Sequence, residues 1–198
     1  NYKNPYLYPY AEFQKFKTHP EIASLLDGGK RIAYGSRAIT EGGFQSVPKL
    51  AFPGGALIGC AAGFVNVPRI KGNHNAMLTG IMAADAAFDA IAASRAGDTL
   101  DDYEAAYVAS PVCRELWQAR NAKPLWSKFG TVVGGIILSG FDLWTNAVSP
   151  GFSIFGTLKH GKTDAAATES ADKHKPIDYP RPDGVLTFDR LSSVSFSG

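Results

Sequence analysis

The 198-residue chain has little of what builds metal clusters and disulfide frameworks. It contains two cysteines, Cys60 and Cys113, and four histidines, His19, His74, His160 and His174. None sits in a CxxC, CxxCxxC or HxxxH spacing. Two cysteines are too few for a disulfide scaffold and fit a reducing compartment or simple burial. Zinc sites and iron–sulfur clusters need those missing spacings, so no metal site is expected within this stretch. A large charge of one sign is also lacking. Lys and Arg number 20 against 18 Asp and Glu, a net charge of +2. A dedicated nucleic-acid binder is usually far more basic, so no nucleic-acid partner is expected. No GxGxxG follows a strand-like run, which excludes a dinucleotide-binding βαβ unit here. No apolar run reaches the ~20 residues that cross a bilayer. There is no Ser–His–Asp pattern and no convincing carboxylate pair, so no catalytic side chain is expected.

What is present is an ordinary globular balance. Hydrophobic residues make up 45% and charged residues 19%, enough to build a core and unlike a disordered tail. The chain opens at Asn1 on "NYKNPYLYPY", without a signal or transit-type segment, and closes on "SSVSFSG". It reads as an internal fragment.

Along the chain, Tyr10, Phe13 and Phe16 sit three apart, which predicts a short helix over 10–20. Pro20 starts a second one, closed by Gly28 and Gly29. Residues 30–39 alternate like a strand, and 41–61 read as strand–turn–strand with Pro53, Gly54 and Gly55 at the turn. "ALIG" at 56–59 reads as a short buried strand. Helical spacing follows over 73–94, then over 98–109 and 111–121, with Asp98 and Asp101, and Ser110 and Pro111, as start signals. Residues 159–182 read as a long polar loop, and 184–194 as a turn, a strand and a short helical start.

The stretch "ALIGCAAGFVNVPRIKGNHNAM" orders a strand, a glycine-rich turn, a loop, Gly72 and a helix start. Gly59 and Gly63 permit close backbone approach or positive φ. Asn73 is a plausible N-cap. A helix start carries free N–H donors and about half a positive charge, which favours an anion or negative charge on a bound heterocycle. In the helix, Ala76, Gly80, Ala83 and Ala87 make a stripe of small residues. Met77, Ile81, Ala84, Phe88 and Ile91 make a neighbouring apolar stripe, expected to meet core. The competing reading is a buried helix after a tight turn, with no ligand.

"GGKRIAYGSRAITEGGFQSVPKLAFPGGALIGCAAGFVNVPRIKGNHNAM" resembles the electron transfer flavoprotein–ubiquinone oxidoreductases. The resemblance continues through "ARNAKP", "TLKHGKTD" and "PIDYPRPDGVLTFDRLSSVSFSG", and so covers essentially the whole chain. It implies a membrane-surface flavoprotein that takes electrons from reduced electron transfer flavoprotein and passes them to ubiquinone by outer-sphere transfer, using FAD and a 4Fe-4S cluster. The cluster's ligands would lie outside this stretch. The implied fold class is α+β: part of a glutathione-reductase-like FAD-binding domain with a quinone-side α+β domain.

The resemblance also implies roles for particular residues. Gly59, Cys60, Ala61 and Gly63 would line the ribityl and phosphate side of FAD. Gly72, Asn73 and the first helical turn to Ala76 would face the flavin ring. Cys60 stands where many related flavoproteins carry Asp, so the ribityl contact would come through backbone. Thr40 and Glu41 match a stretch near the flavin; Thr40 stands where the family often has Asn and loses an amide donor. Gly42 and Gly43 would supply part of the quinone-contacting backbone. Apart from the resemblance, the position of His74 beside the helix start suits a flavin or phosphate contact and equally a plain helix-end histidine.

The apolar stretch "FGTVVGGIILSGFDLW" at 129–144, flanked by Trp126, Lys128 and Trp144, reads on composition as a buried hairpin or helix. By resemblance it becomes a membrane-surface segment. The implied organisation is 1–55 in the quinone-side domain, 56–122 in the FAD-binding domain with its following helices, 123–156 the apolar segment, and 157–198 a linker leading toward a 4Fe-4S domain. The expected location is the mitochondrial inner membrane in a eukaryote or the cytoplasmic membrane in a bacterium. Alternatives are a geranylgeranyl-reductase-like flavoprotein, which should lack the closing "PIDYPRPDGVLTFDRLSSVSFSG", and a cofactor-free membrane-surface interaction domain.

Overall fold

The computed structural model describes residues 2–36, 38–159 and 161–194; His160 and the closing residues 195–198 fall outside them. The chain forms two compact units, one of Asn1–Arg37 with Lys162–Gly198, the other of Ala38–Gly161.

The first unit begins with α1 (Pro9–Lys17) and α2 (Pro20–Leu26). Both start on a proline, whose missing N–H costs nothing in the first turn. In α1, Glu12 lies in the first turn and Lys15 and Lys17 in the last, the arrangement that suits the helix dipole. The segment after α2 does not become the expected strand. Ile32 is exposed and no strand partner lies beside it among the described residues, so the 30–36 backbone stays irregular despite its alternation.

The second unit carries the only strands among the described residues, β1 (Ala51–Phe52) and β2 (Gly55–Ala56). They pair antiparallel across Pro53 and Gly54. The expected strand at 56–59 ends almost at once, because Gly59 opens a 3-10 turn to Ala61. The described residues are therefore mixed and mostly helical, compatible with an α+β class.

The helices of this unit are α3 (Asn73–Ala92), α4 (Asp101–Ala109), α5 (Pro111–Gln118), α6 (Ala122–Phe129) and α7 (Ser139–Val148). Ser110 caps α5 as expected, its hydroxyl accepting the Cys113 N–H at 3.2 Å. Asn73 does not cap α3. Gly72 occupies that position and Asn73 is the first helical residue.

The core gathers Leu50, Ala62, Phe64, Ala86, Tyr103, Tyr107, Val112 and Leu116. Phe64 stacks on Tyr107 with ring centres 4.8 Å apart. Tyr103 is fully buried and its hydroxyl donates to the Leu57 carbonyl at 2.8 Å. Desolvation pushes its phenol up to about 12. The buried face of α3 runs through Asn75, Thr79, Ala86 and Ala90. The stripe expected to meet core, Met77, Ile81, Ala84, Phe88 and Ile91, instead stays exposed. Small residues on the inner face, Ala86 and Ala90, leave room for the tyrosines of α4, so packing selects that face over the more apolar one.

Between α6 and α7 lies a π-helical stretch, Gly130–Leu138. Gly130, at φ +76°, ends α6 and reverses the chain, a conformation that suits glycine. The two arms then run back along each other. Ser139 Oγ donates to the Ala122 carbonyl at 3.2 Å, and Trp126 Nε1 donates to Thr131 Oγ1 at 3.1 Å. At Gly134 a β-carbon would collide with the Leu125 carbonyl, so glycine is what allows the arms to touch. The helical stretch Pro111–Val148 is long and apolar enough by composition to cross a membrane, which is weak evidence by itself, and Gly130 folds it into a hairpin.

After the second unit the chain returns to the first with α8 (Asp164–Ala167) and α9 (Arg190–Val194). The expected strand in 184–194 does not form. Asp183 accepts N–H bonds from Val185, Leu186 and Thr187, winding that segment into a turn. These bonds, that of Thr187 foremost, hold its carboxyl down to about 2. Tyr10 ties the two halves of the unit together, its hydroxyl meeting the Phe188 carbonyl and Ser193 Oγ, each at 2.7 Å.

Core substitutions should separate packing from polar satisfaction. Leu116→Ala is expected to destabilise the second unit by about 2–5 kcal/mol through cavity formation. Tyr103→Phe, which removes the bonds to the Leu57 carbonyl and Thr79, is expected to cost about 1–2 kcal/mol. Chemical denaturation followed by tryptophan fluorescence checks both.

Candidate functional site

The residues singled out before α3 converge in the second unit. Gly59, at φ +53°, lies flat on the first turn of the helix, where a β-carbon would come within 2.9 Å of Ala76 Cβ. Its N–H donates to Thr79 Oγ1 at 3.1 Å. A β-carbon at Gly63 would fall 3.3 Å from Thr40 Cγ2, which sets the 40–43 segment beside the turn. Gly72 packs on Val65. Gly59, Gly63, Gly72, Ala76 and Thr40 thus share one region. Cys60 is a half-buried free thiol, while Ala61, Asn73 and Thr40 are exposed.

Asn75 fixes the helix start. It is fully buried, and its Nδ2 donates to the Phe64 carbonyl at 3.0 Å. Its Oδ1 has no partner among the described residues. The first N–H groups of α3 have no intrahelical acceptor by the geometry of any helix start, and its first turn holds no acidic residue. The region therefore offers backbone donors, a helix dipole and an orphaned amide oxygen, with no carboxylate at Cys60. Those features fit a group held through backbone. Among the described residues, no three His, Cys, Asp or Glu side chains gather into a metal-holding group.

Glu115 on α5 was not visible as a site residue in the sequence. Its carboxylate accepts from Asn66 Nδ2 and meets His74 Nε2 at 2.8 Å. His74, read from the sequence as either a ligand contact or a plain helix-end histidine, is thus held by a carboxylate beside the helix start. Burial pushes the Glu115 carboxyl up, but the bonds to His74 and Asn66, with Arg69 nearby, outweigh it and leave the value lowered. No spacing signal links positions 66, 74 and 115; only the packing of α5 against α3 joins them.

A second group was also missed. Arg120, 3% exposed, lies over the Trp117 ring at 3.9 Å. It donates from Nη1 to the Trp117 carbonyl at 2.8 Å, from Nε to Thr157 Oγ1 at 3.0 Å and from Nη2 to the Gly151 carbonyl at 3.3 Å. Asn121 donates to Ser153 Oγ and to the Gly156 carbonyl, both at 2.9 Å, and accepts from the Leu158 N–H at 3.0 Å. Asp142, 1% exposed, accepts from Ser153. The sequence trace of this group was "ARNAKP", noted above only as a point of resemblance.

The hairpin of α6, the π-helical stretch and α7 is the third feature. It is not the buried element its composition predicts. Val132, Ile136, Ile137 and Trp144 are each more than half exposed.

A family model described as "ETF-QO, ubiquinone-binding" matches residues 1–39. The whole chain aligns at 47% identity with the mitochondrial electron transfer flavoprotein-ubiquinone oxidoreductase of Homo sapiens, covering 32% of that protein. It is 48% identical to the protein of the same name from Caenorhabditis elegans, covering 33% of it. It is 45% identical to a probable one from Saccharomyces cerevisiae, covering 34% of it. The proteins that it matches are named as oxidoreductases. Over its whole length the chain is similar to the electron transfer flavoprotein–ubiquinone oxidoreductases, and it spans about a third of the length of the curated relatives it matches.

The Glu115 cluster makes stability depend on pH in a stated direction. A carboxyl lowered by folding stabilises the fold above its ordinary 4.5 and loses that contribution as pH falls through the folded value. Glu115→Gln is therefore expected to unfold at lower denaturant than the parent at pH 7, by about 1–2 kcal/mol. The two midpoints should converge as pH falls below the ordinary carboxylate range and Glu115 is protonated in both states, as denaturant titrations across pH would show.

Proposed function

We propose that the chain is the part of a membrane-surface oxidoreductase that joins its flavin to its quinone. The whole protein takes electrons from reduced electron transfer flavoprotein and delivers them to ubiquinone. The observation that carries this reading is the similarity over the full chain to proteins of that name. It runs through 176–198, the stretch that the geranylgeranyl-reductase-like alternative should lack.

On this reading FAD is held by backbone. Gly59, Cys60, Ala61 and Gly63 line its ribityl and phosphate side, and Gly72, Asn73 and Ala76 its ring. The flat contact of Gly59 on Ala76 and the free N–H groups of the α3 start support that assignment. When bound, FAD supplies the electron chemistry. The chain's own work is to position it and to set a positive helix end beside it, which favours negative charge on the reduced ring. Thr40, pressed against Gly63, borders the same site, and Gly42 and Gly43 offer backbone to the quinone. A 4Fe-4S cluster belongs to the whole protein, and its ligand spacing is not found in this chain.

The exposed hairpin lies in the membrane interface and does not cross it. Its apolar tip, with Trp126 and Trp144 on its flanks and Lys128 near the reversal, has the composition of a monotopic anchor. An interfacial site brings a lipid-dissolved quinone to the protein.

The reading is tested on the natural full-length protein. Its visible spectrum should show flavin bands and an iron–sulfur shoulder bleached by dithionite; flavin without the shoulder would favour the alternative flavoprotein, and a colourless folded protein would overturn both. Gly59→Ala is expected to lower flavin occupancy about tenfold, because the added methyl meets Ala76 at a strained φ. The double variant Val132→Glu and Ile136→Glu should shift the protein from vesicles to supernatant in a flotation assay, with its flavin spectrum unchanged.

A further inference from the structure

The 40–43 turn is held in place by residues outside it. Immediately after Gly43 comes a 3-10 turn, Phe44–Ser46. Phe44 packs edge-on against Trp117 with ring centres 5.0 Å apart. Gln45 uses both hydrogens of its amide, donating from Nε2 to the Arg120 carbonyl at 2.7 Å and to the Leu158 carbonyl at 2.8 Å. On the other side of the glycines, Glu41 approaches Lys123 at 3.8 Å.

These acceptors bracket the foot of the apolar hairpin. Arg120 immediately precedes Asn121 and α6, and Leu158 ends the loop that follows α7. That loop is itself pinned by Arg120 and Asn121. One side chain thus joins the glycine turn to both strands of chain at the hairpin's base. The geometry demands a double donor. A carboxylate at position 45 would face two carbonyl oxygens, and an aliphatic chain would leave both unpaired.

We infer that Gln45 is a positioning residue of the quinone site: it sets the Gly42 and Gly43 backbone relative to the root of the apolar hairpin, so that seating the hairpin in lipid and presenting that backbone to quinone are one mechanical event. The inference rests on the reading above that this turn meets quinone. Gln45 itself touches no substrate in it.

The test uses the natural full-length protein in lipid vesicles with a short-chain ubiquinone as probe. Three quantities are read: quinone KM and kcat, the rate of flavin reduction by the protein donor without quinone, and amide hydrogen exchange over 44–47. Gln45→Met keeps the side chain's length and loses both donors. It should raise KM about tenfold, the effect of losing roughly 1.4 kcal/mol of hydrogen bonding. Flavin reduction should stay within about twofold of the parent, while exchange at Ser46 and Val47 quickens. Asn121→Ala, which frees Leu158 and leaves the Arg120 carbonyl in place, should give a smaller rise in KM. Faster exchange with an unchanged KM would show that Gln45 only stabilises the fold and would overturn the inference. A parent protein whose reduced flavin is not reoxidised by the quinone would overturn the underlying reading and the inference with it.

Discussion

Arg120 carries a full charge at 3% exposure, and much of the second unit follows from how that charge is satisfied. A buried guanidinium is tolerated only when its donors are used and a counter-charge is near. Desolvation lowers its pKa while the buried Asp142 carboxylate pulls it back up. Its donors reach Thr157 and the Trp117 and Gly151 carbonyls, so the loop after α7 cannot leave without stranding a charge. Asn121 repeats the pattern with neutral groups, using its whole amide on Ser153, Gly156 and Leu158. The loop has little apolar reason to lie there; polar satisfaction puts it there.

That constraint allows the hairpin to be apolar and exposed at once. A helical pair of this composition left free in water would be expected to collapse onto the core. Here its foot is fixed by Arg120, Asn121 and the Ser139 bond to the Ala122 carbonyl, and its two arms meet where Gly134 removes a side chain. The arms pack on each other where Gly134 meets Leu125, and the returning arm exposes Val132, Ile136 and Ile137. Large contiguous apolar surface on a folded protein marks an interface.

What was legible in the sequence is local. Pro20 and Pro111 mark helix starts because proline's lost donor is free there, and the structure follows them. Strands were not legible in the same way. The alternation over 30–36 has the right period, but a strand exists only with a partner, and none lies beside it among the described residues. The face of α3 was misread for a related reason: periodicity shows which face is most apolar, and packing chose the one small enough to admit Tyr103 and Tyr107. At the candidate site the glycines stood out because their spacing is contiguous. Glu115, Arg120 and Gln45 did not, because each acts across 31 to 113 residues of sequence through bonds that only the fold creates.

The start of α3 and the start of α6 solve opposite problems with the same backbone. At α3 the first turn is left open, with no side-chain cap, no acid within it and Asn75 Oδ1 unpaired, so the donors remain available and the dipole unneutralised. Glu115 stands close by, yet its acceptors are occupied by Asn66 and His74, so the nearest carboxylate does not close the helix end. At α6 the chain enters through Asn121, whose side chain is spent entirely on the neighbouring loop. One helix start keeps its backbone donors open and the other is locked by the chain itself. Gln45 and Phe44 join the locked end to the segment that borders the open one, through Arg120, Trp117 and, at Thr40, Gly63. Rigidity at the hairpin's foot is therefore what lets the turn beside α3 stay open without wandering.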